Sequence, residues 1–319
     1  MLAQSARTSS VPRPLRPGVS ETFPYPTRYS KGELPLAYFD AGNANGPALI
    51  FVHGLGGNFT HWEHVAPAFA KTHRVIGLDM PGCGDSAKPD IRYSIDLFAA
   101  SVVRLMDELG IDKAALVGHS LGGAVVSQTT LKYPERVRRM VLINSAGFMK
   151  YPVTHRLAAR ALFRRKLITP AIERFAIKLL EITFHEKNDL VRHFISQAEG
   201  RDPHPTVDDF GRLVETLGTD LVDLHFVDVV ERLTVPTMVL WGDKDRLLPI
   251  RALRRWVPRL PNGRLVVLRN CGHMPIIERP QAVIDALTSF LGATQPRELA
   301  DSIPRANQPE TPSVRSITG

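Results

Sequence analysis

A chain of 319 residues with 44% hydrophobic residues can bury a substantial core, and with only two cysteines, Cys83 and Cys271, it excludes a disulfide framework. The net charge of +8 and sequence pI near 9.7 allow attraction to anionic surfaces but say nothing of fold. No apolar run reaches the ~18 residues that span a bilayer, and residues 1–20 lack the apolar core of a signal peptide. A cytoplasmic protein is expected, peripheral to a membrane at most.

Residues 1–30 are rich in Pro, Ser and Arg and are expected to be a partly disordered tail, and residues 293–319 read the same way. Between them, short apolar strands alternate with amphipathic helices. "PALIFVHG" (47–54) and "HRVIGLDM" (73–80) read as buried strands, each ending in a turn. Ser94 is placed to cap a helix in which Ile95, Phe98, Val102 and Leu105 recur at helical spacing. Then follow the strand "KAALVG", the helix "LGGAVVSQTTLKYP" and the strand "RRMVLINSA". The pattern resumes with the strand "PTMVLWG", a helix from Pro249, the strand "RLVVLRN" and a last helix from Pro280. This alternation predicts an α/β fold with a mostly parallel sheet, helices on both faces, and chemistry beyond the carboxyl ends of the strands. The core is expected over 31–146 and 236–292. Residues 147–235 show helical patterns without a convincing strand, and are expected to form a helical insertion over the strand ends.

Within "LVGHSLGGAVVS" (116–127), Ser120 stands between a predicted strand and a predicted helix. Gly-x-Ser-x-Gly alone is a weak signal, since a serine between glycines can be an ordinary loop residue. In this position it is the context of a nucleophile elbow, with flanking glycines expected to let the chain turn sharply. A serine hydroxyl needs a base. His273, in "RNCGHMP" past the final apolar strand, is the candidate, although one histidine among 11 could be only a satisfied loop residue. The base needs an acid, and "LWGDKD" offers Asp243 and Asp245, either of which could be a turn residue. All three groups fall beyond strand ends in the order Ser, Asp, His. "HGLGG" (53–57) could bring backbone amides to a developing oxyanion.

"HGLGG", "DMPGCGDS", "GHSLGG", "WGDKD" and "CGHMPIIERP" resemble the successive signatures of the α/β-hydrolase superfamily, over about residues 40–292 apart from the insertion. The resemblance implies an α/β-hydrolase fold with a helical cap over 147–235. It also implies Ser120 as nucleophile, His273 as base and acid, and Asp245 as the third member. Leu55 and Leu121 would supply oxyanion N–H groups. Where some members carry their acid after the strand before the cap, this chain reads "NSAG", without a carboxylate. A serine at the elbow disfavours the dehalogenase and epoxide-hydrolase branches, which use aspartate there.

The expected function is hydrolysis of carboxylic esters with apolar acyl groups, lipid-like or monoacylglycerol-type, by a serine esterase or lipase-like member. Alternatives are a C–C hydrolase of ring-fission products, whose relatives usually follow the histidine with Trp where this chain has Met274, and a cofactor-free perhydrolase. No cofactor or metal is expected, and no nucleic-acid motif accompanies the excess charge. Arg156, Arg160 and Arg164 share one helical stripe, with Leu157, Ala161 and Ile168 on a neighbouring face. That stripe reads as a solvated face or, more sharply, as a basic cap leaning on an anionic membrane surface. "FAIKLLEITF" (175–184) could line a pocket or pack on the core.

Overall fold

The structure, a computed structural model, describes residues 23–200 and 207–292. Most of both predicted tails lies outside these residues. Eight strands form one sheet: β1 (Arg28–Tyr29), β2 (Ala37–Gly42), β3 (Ala48–Val52), β4 (Arg74–Leu78), β5 (Ala114–His119), β6 (Val137–Ile143), β7 (Thr237–Gly242) and β8 (Gly263–Leu268). Their order is β1-β2-β4-β3-β5-β6-β7-β8, with the first two pairings antiparallel and the rest parallel. Every residue of β3, β5 and β7 is buried, as expected of strands covered on both faces.

The period of two along each strand divides the core. Ile50, Val52, Leu116 and Leu142 join one apolar cluster with helices α1 (Ile95–Glu108) and α2 (Leu121–Lys132). Leu49, Phe51, Val117 and Val141 join the other, with Trp62, Phe69 and the paired helices α7 (Pro275–Glu278) and α8 (Pro280–Gly292). Ser94 caps α1 as predicted, its hydroxyl accepting from the Leu97 N–H at 3.1 Å.

Two elements differ from the sequence reading. The chain from Phe23 is packed rather than tail-like: Phe23, Tyr25 and Tyr29 rest on the second cluster, and Tyr25 stacks on Phe39 at 5.4 Å. The helix expected from Pro249 is instead two short 3-10 pieces, Ile250–Arg255 and Val257–Arg259. Pro258 removes a donor and breaks the run.

Among the described residues, four helices lie between β6 and β7: α3 (Val153–Leu162), α4 (Arg165–Thr183), α5 (Asp189–Gly200) and α6 (Val207–Asp223). A Cβ at Gly211 would lie 2.1 Å from Thr169 Oγ1, and one at Gly218 would lie 2.6 Å from the Phe163 ring. These two glycines let α6 pack tightly beneath α4 and the α3–α4 turn. Among the described residues no helix is long and apolar enough to cross a membrane.

Candidate active site

β5 ends at His119 and α2 starts at Leu121, so Ser120 alone makes the turn, at φ 52° and ψ −116°. A non-glycine residue held there stores about 1–3 kcal/mol of backbone strain. The strain is fixed by three hydrogen bonds: Ser120 N–H donates to the Ile143 carbonyl at 3.0 Å, and its carbonyl accepts from Gly123 N–H (3.0 Å) and Ala146 N–H (2.9 Å). The glycines do something other than expected. Neither Gly118 nor Gly122 has a positive φ. A Cβ at Gly118 would meet the Gly122 carbonyl oxygen at 2.3 Å, and one at Gly122 would meet that of Val52 at 2.2 Å. They permit close approach of main chains, while the serine itself takes the unusual conformation.

The structure brings the three predicted side chains together. Ser120 Oγ lies 3.0 Å from His273 Nε2, and His273 Nδ1 lies 2.8 Å from Asp245 Oδ2. Asp245 Oδ1 accepts the N–H groups of Leu247 (2.8 Å) and Leu248 (2.9 Å). Burial alone would push the Asp245 carboxyl up. The hydrogen bond and charge of His273, with the Leu248 N–H and the Asn144 amide, outweigh burial and hold it below its ordinary value. Asp243 lies outside this relay, its carboxylate 3.7 Å from the Lys244 ammonium.

Four supporting residues escaped the sequence reading. Asn144, at φ 42°, donates Nδ2 to Asp245 Oδ2 at 2.6 Å and accepts the Gly242 N–H at 3.2 Å. It occupies the "NSAG" position noted for lacking a carboxylate, and its only sequence signal was the tolerance of asparagine for positive φ. His119 Nε2 lies 2.8 Å from the His273 carbonyl oxygen, an acceptor only, so Nε2 carries the proton. Burial pushes His119 down to about 3, which keeps the ring neutral. Thr183, the last residue of α4, accepts the His273 N–H at 2.6 Å. Glu278, buried, accepts the N–H groups of Gly272 (2.9 Å) and His185 (3.0 Å). The histidine loop is thus tied to β5, α4 and α7.

Ser120 and His273 open on a cavity of about 170 Å³. Leu55 and Leu121 line it, one in the turn after β3 and the other at the start of α2, where the first helical N–H has no carbonyl one turn back. The other lining residues are Ala146, Gly147, Met149, Tyr151, Leu221, Val222, Leu247 and Leu248. "FAIKLLEITF" contributes none of them. Instead Ile177, Leu180 and Phe184 pack on the core. Both cysteines are free and buried, and burial pushes each thiol up, far from thiolate reactivity. Among the described residues no group of three or more His, Cys, Asp or Glu could hold a metal ion.

Two of the three arginines of the predicted basic stripe are held within the insertion, and Arg164, the third, is exposed. Arg156 and Arg160 both pair with Asp223 of α6, at 2.6 and 2.5 Å.

The chain is similar to known proteins and to solved structures. The chain is 30% identical over 256 residues to a pimeloyl-(acyl-carrier protein) methyl ester esterase of Aeromonas hydrophila, covering 77% of this chain and 96% of that protein. It is 31% identical over 259 residues to a 2-hydroxymuconate semialdehyde hydrolase of a Pseudomonas species, covering 76% and 86%. The crystal structure of an enol-lactonase from Burkholderia xenovorans superimposes with a TM-score of 0.72 over 83% of this chain and all of that one, at 24% identity. The alpha/beta hydrolase fold model matches residues 47–280, spanning both halves of the sheet and the turns that carry Ser120, Asp245 and His273. The chain belongs to the alpha/beta hydrolase fold family.

Proposed function

We propose that this protein is a serine hydrolase that cleaves carboxylic esters through an acyl-enzyme. Ser120 Oγ attacks the ester carbonyl carbon as His273 Nε2 takes its proton. Asp245 holds the imidazole with Nε2 facing the serine and stabilises the imidazolium that forms. The Leu55 and Leu121 N–H groups receive the oxyanion, aided by the N-terminus of α2. His273 returns the proton to the departing alcohol, then deprotonates the water that releases the carboxylic acid.

One observation carries the reading: the Ser120–His273–Asp245 relay opens on a cavity lined, besides these groups, by aliphatic residues, Met149 and Tyr151. Among the described residues, no arginine or lysine lines it. A ring-fission product carries a carboxylate that such a lining would leave unpaired, which favours an ester over C–C cleavage. The volume of about 170 Å³ is close to the ~150 Å³ that admits a benzene ring. It suits an apolar acyl group, consistent with lipid-like esters.

The test compares p-nitrophenyl esters of increasing acyl length with a ring-fission dienone followed by colour loss, alongside labelling by a fluorophosphonate. Ester turnover and labelling, both lost in Ser120→Ala, are expected. Dienone turnover without ester turnover would overturn the assignment.

A further inference from the structure

The helices α3 and α4 leave large apolar side chains in solvent. On α3 the charged side faces inward, where Arg156 and Arg160 meet Asp223, and no residue of the helix is buried. Beside that pair, three residues before Arg156 and Arg160, Val153 and Leu157 are 65% and 59% exposed, and Leu162 at the helix end is 62% exposed. On the second half of α4, Phe175, Leu179 and Ile182 recur at i, i+4 and i+7, the spacing of a core-facing stripe, yet all three are exposed. An apolar surface of this kind on a soluble domain marks a contact.

We propose that the outer face of α3 and α4 docks this protein onto an anionic lipid surface. Charge complementarity selects that occupant. Lys166, Arg174 and Lys178 lie on α4 and Arg164 in the turn before it, and among the described residues none pairs with a carboxylate. Apolar side chains in the acyl boundary with cations at headgroup level is the arrangement of an interfacial helix. Of the predicted basic stripe, Arg156 and Arg160 are held by Asp223, while Arg164, its third member, belongs to this surface. It also adjoins the proposed chemistry, because Ile182 precedes Thr183, whose carbonyl holds the His273 N–H.

The experiment is sedimentation of the full chain with unilamellar vesicles of phosphatidylcholine, with or without phosphatidylglycerol, at low and high salt. The wild type is expected to partition onto the phosphatidylglycerol vesicles and to be released by salt. Lys166→Gln with Lys178→Gln should weaken partitioning about twenty-five-fold, at about fivefold per cation. Leu157→Ser with Leu179→Ser should weaken it at least about tenfold. Both variants should keep wild-type melting curves and turnover of soluble p-nitrophenyl ester. Melting and sedimentation are independent of catalysis, so failure of the esterase reading leaves this test standing. Wild type that stays in the supernatant overturns the proposal. So does equal binding to both lipid compositions at any salt, or unchanged binding by the leucine variant. A dimer in lipid-free solution that Leu157→Ser with Leu179→Ser disperses, with no vesicle binding, would assign the face to a second copy of the chain instead.

Discussion

The Asn144 amide donates to Asp245 Oδ2 at 2.6 Å, the oxygen that also faces His273 Nδ1. Hydrogen bonds to charged groups contribute about 1.5–3 kcal/mol, and this one helps keep the carboxylate ionised and aimed. Asn144→Ala is expected to lower kcat at least about tenfold with little change in KM. The acid limb of its pH–rate profile should move to higher pH, because the carboxyl loses a donor that favours its charged form. A fall in kcat without that movement would reduce Asn144 to a packing residue.

The assignment of the acid is checked by two neighbours. Asp245→Asn should lower kcat by about 10⁴ through the wrong histidine tautomer. Asp243→Asn should leave kcat near the wild-type value. Steady-state kinetics on one ester suffices, and the reverse pattern would move the acid by two residues.

The strained turn gives a stability prediction. Ser120→Gly and Ser120→Ala should both be inactive. The glycine variant should be the more stable by about 1–3 kcal/mol, since glycine adopts φ 52° freely. At about 2–4 °C per kcal/mol for a domain of this size, thermal melts of the two variants resolve the difference.

His53 and His119 give a pH dependence of known sign. Burial pushes His53 down to about 4 from 6.5, and its Nε2 accepts the Met80 N–H at 3.0 Å. Between these values the unfolded chain binds the proton and the folded chain does not. Stability is therefore lost as pH falls below about 6.5, by about 2 kcal/mol for His53 at pH 5. Asp79 acts the other way: burial raises it to about 7, so its contribution diminishes as pH rises from about 4 to 7. Subtraction isolates the histidine. The stability margin of wild type over His53→Gln in urea should shrink by about 2 kcal/mol between pH 7 and pH 5.

Leu221 of α6 lines the cavity. Leu221→Ala should move the preferred p-nitrophenyl ester toward longer acyl chains. Each further methylene accommodated should gain about fourfold in kcat/KM, from ~0.8 kcal/mol per buried CH₂. An unchanged chain-length profile would place the acyl group elsewhere.

The sheet was legible because its signals are local. Continuous apolar runs ending in glycine, and Ser94 ahead of a helical spacing, each specify one element. β1 and β2 were missed because they are held by their partners, β1 by β2 and β2 by β4, where Tyr38 meets Leu78 across the sheet. Ser120, Asp245 and His273 could be picked out as candidates because their strand-end contexts are sequential. Asn144 could not, since its partner lies 101 positions away. On α3 the pattern displayed two faces but not which of them turns inward. That depends on Asp223, 67 residues beyond Arg156.

At positions 118 and 122 the elbow rests main chain upon main chain, with Gly118 against Gly122 and Gly122 against Val52. The aim of the serine hydroxyl is therefore set by peptide units, whose dimensions do not vary with sequence. Substitutions elsewhere in the hydrophobic layers can drift, alter volume and trade stability, yet the Ser120 hydroxyl keeps its bearing.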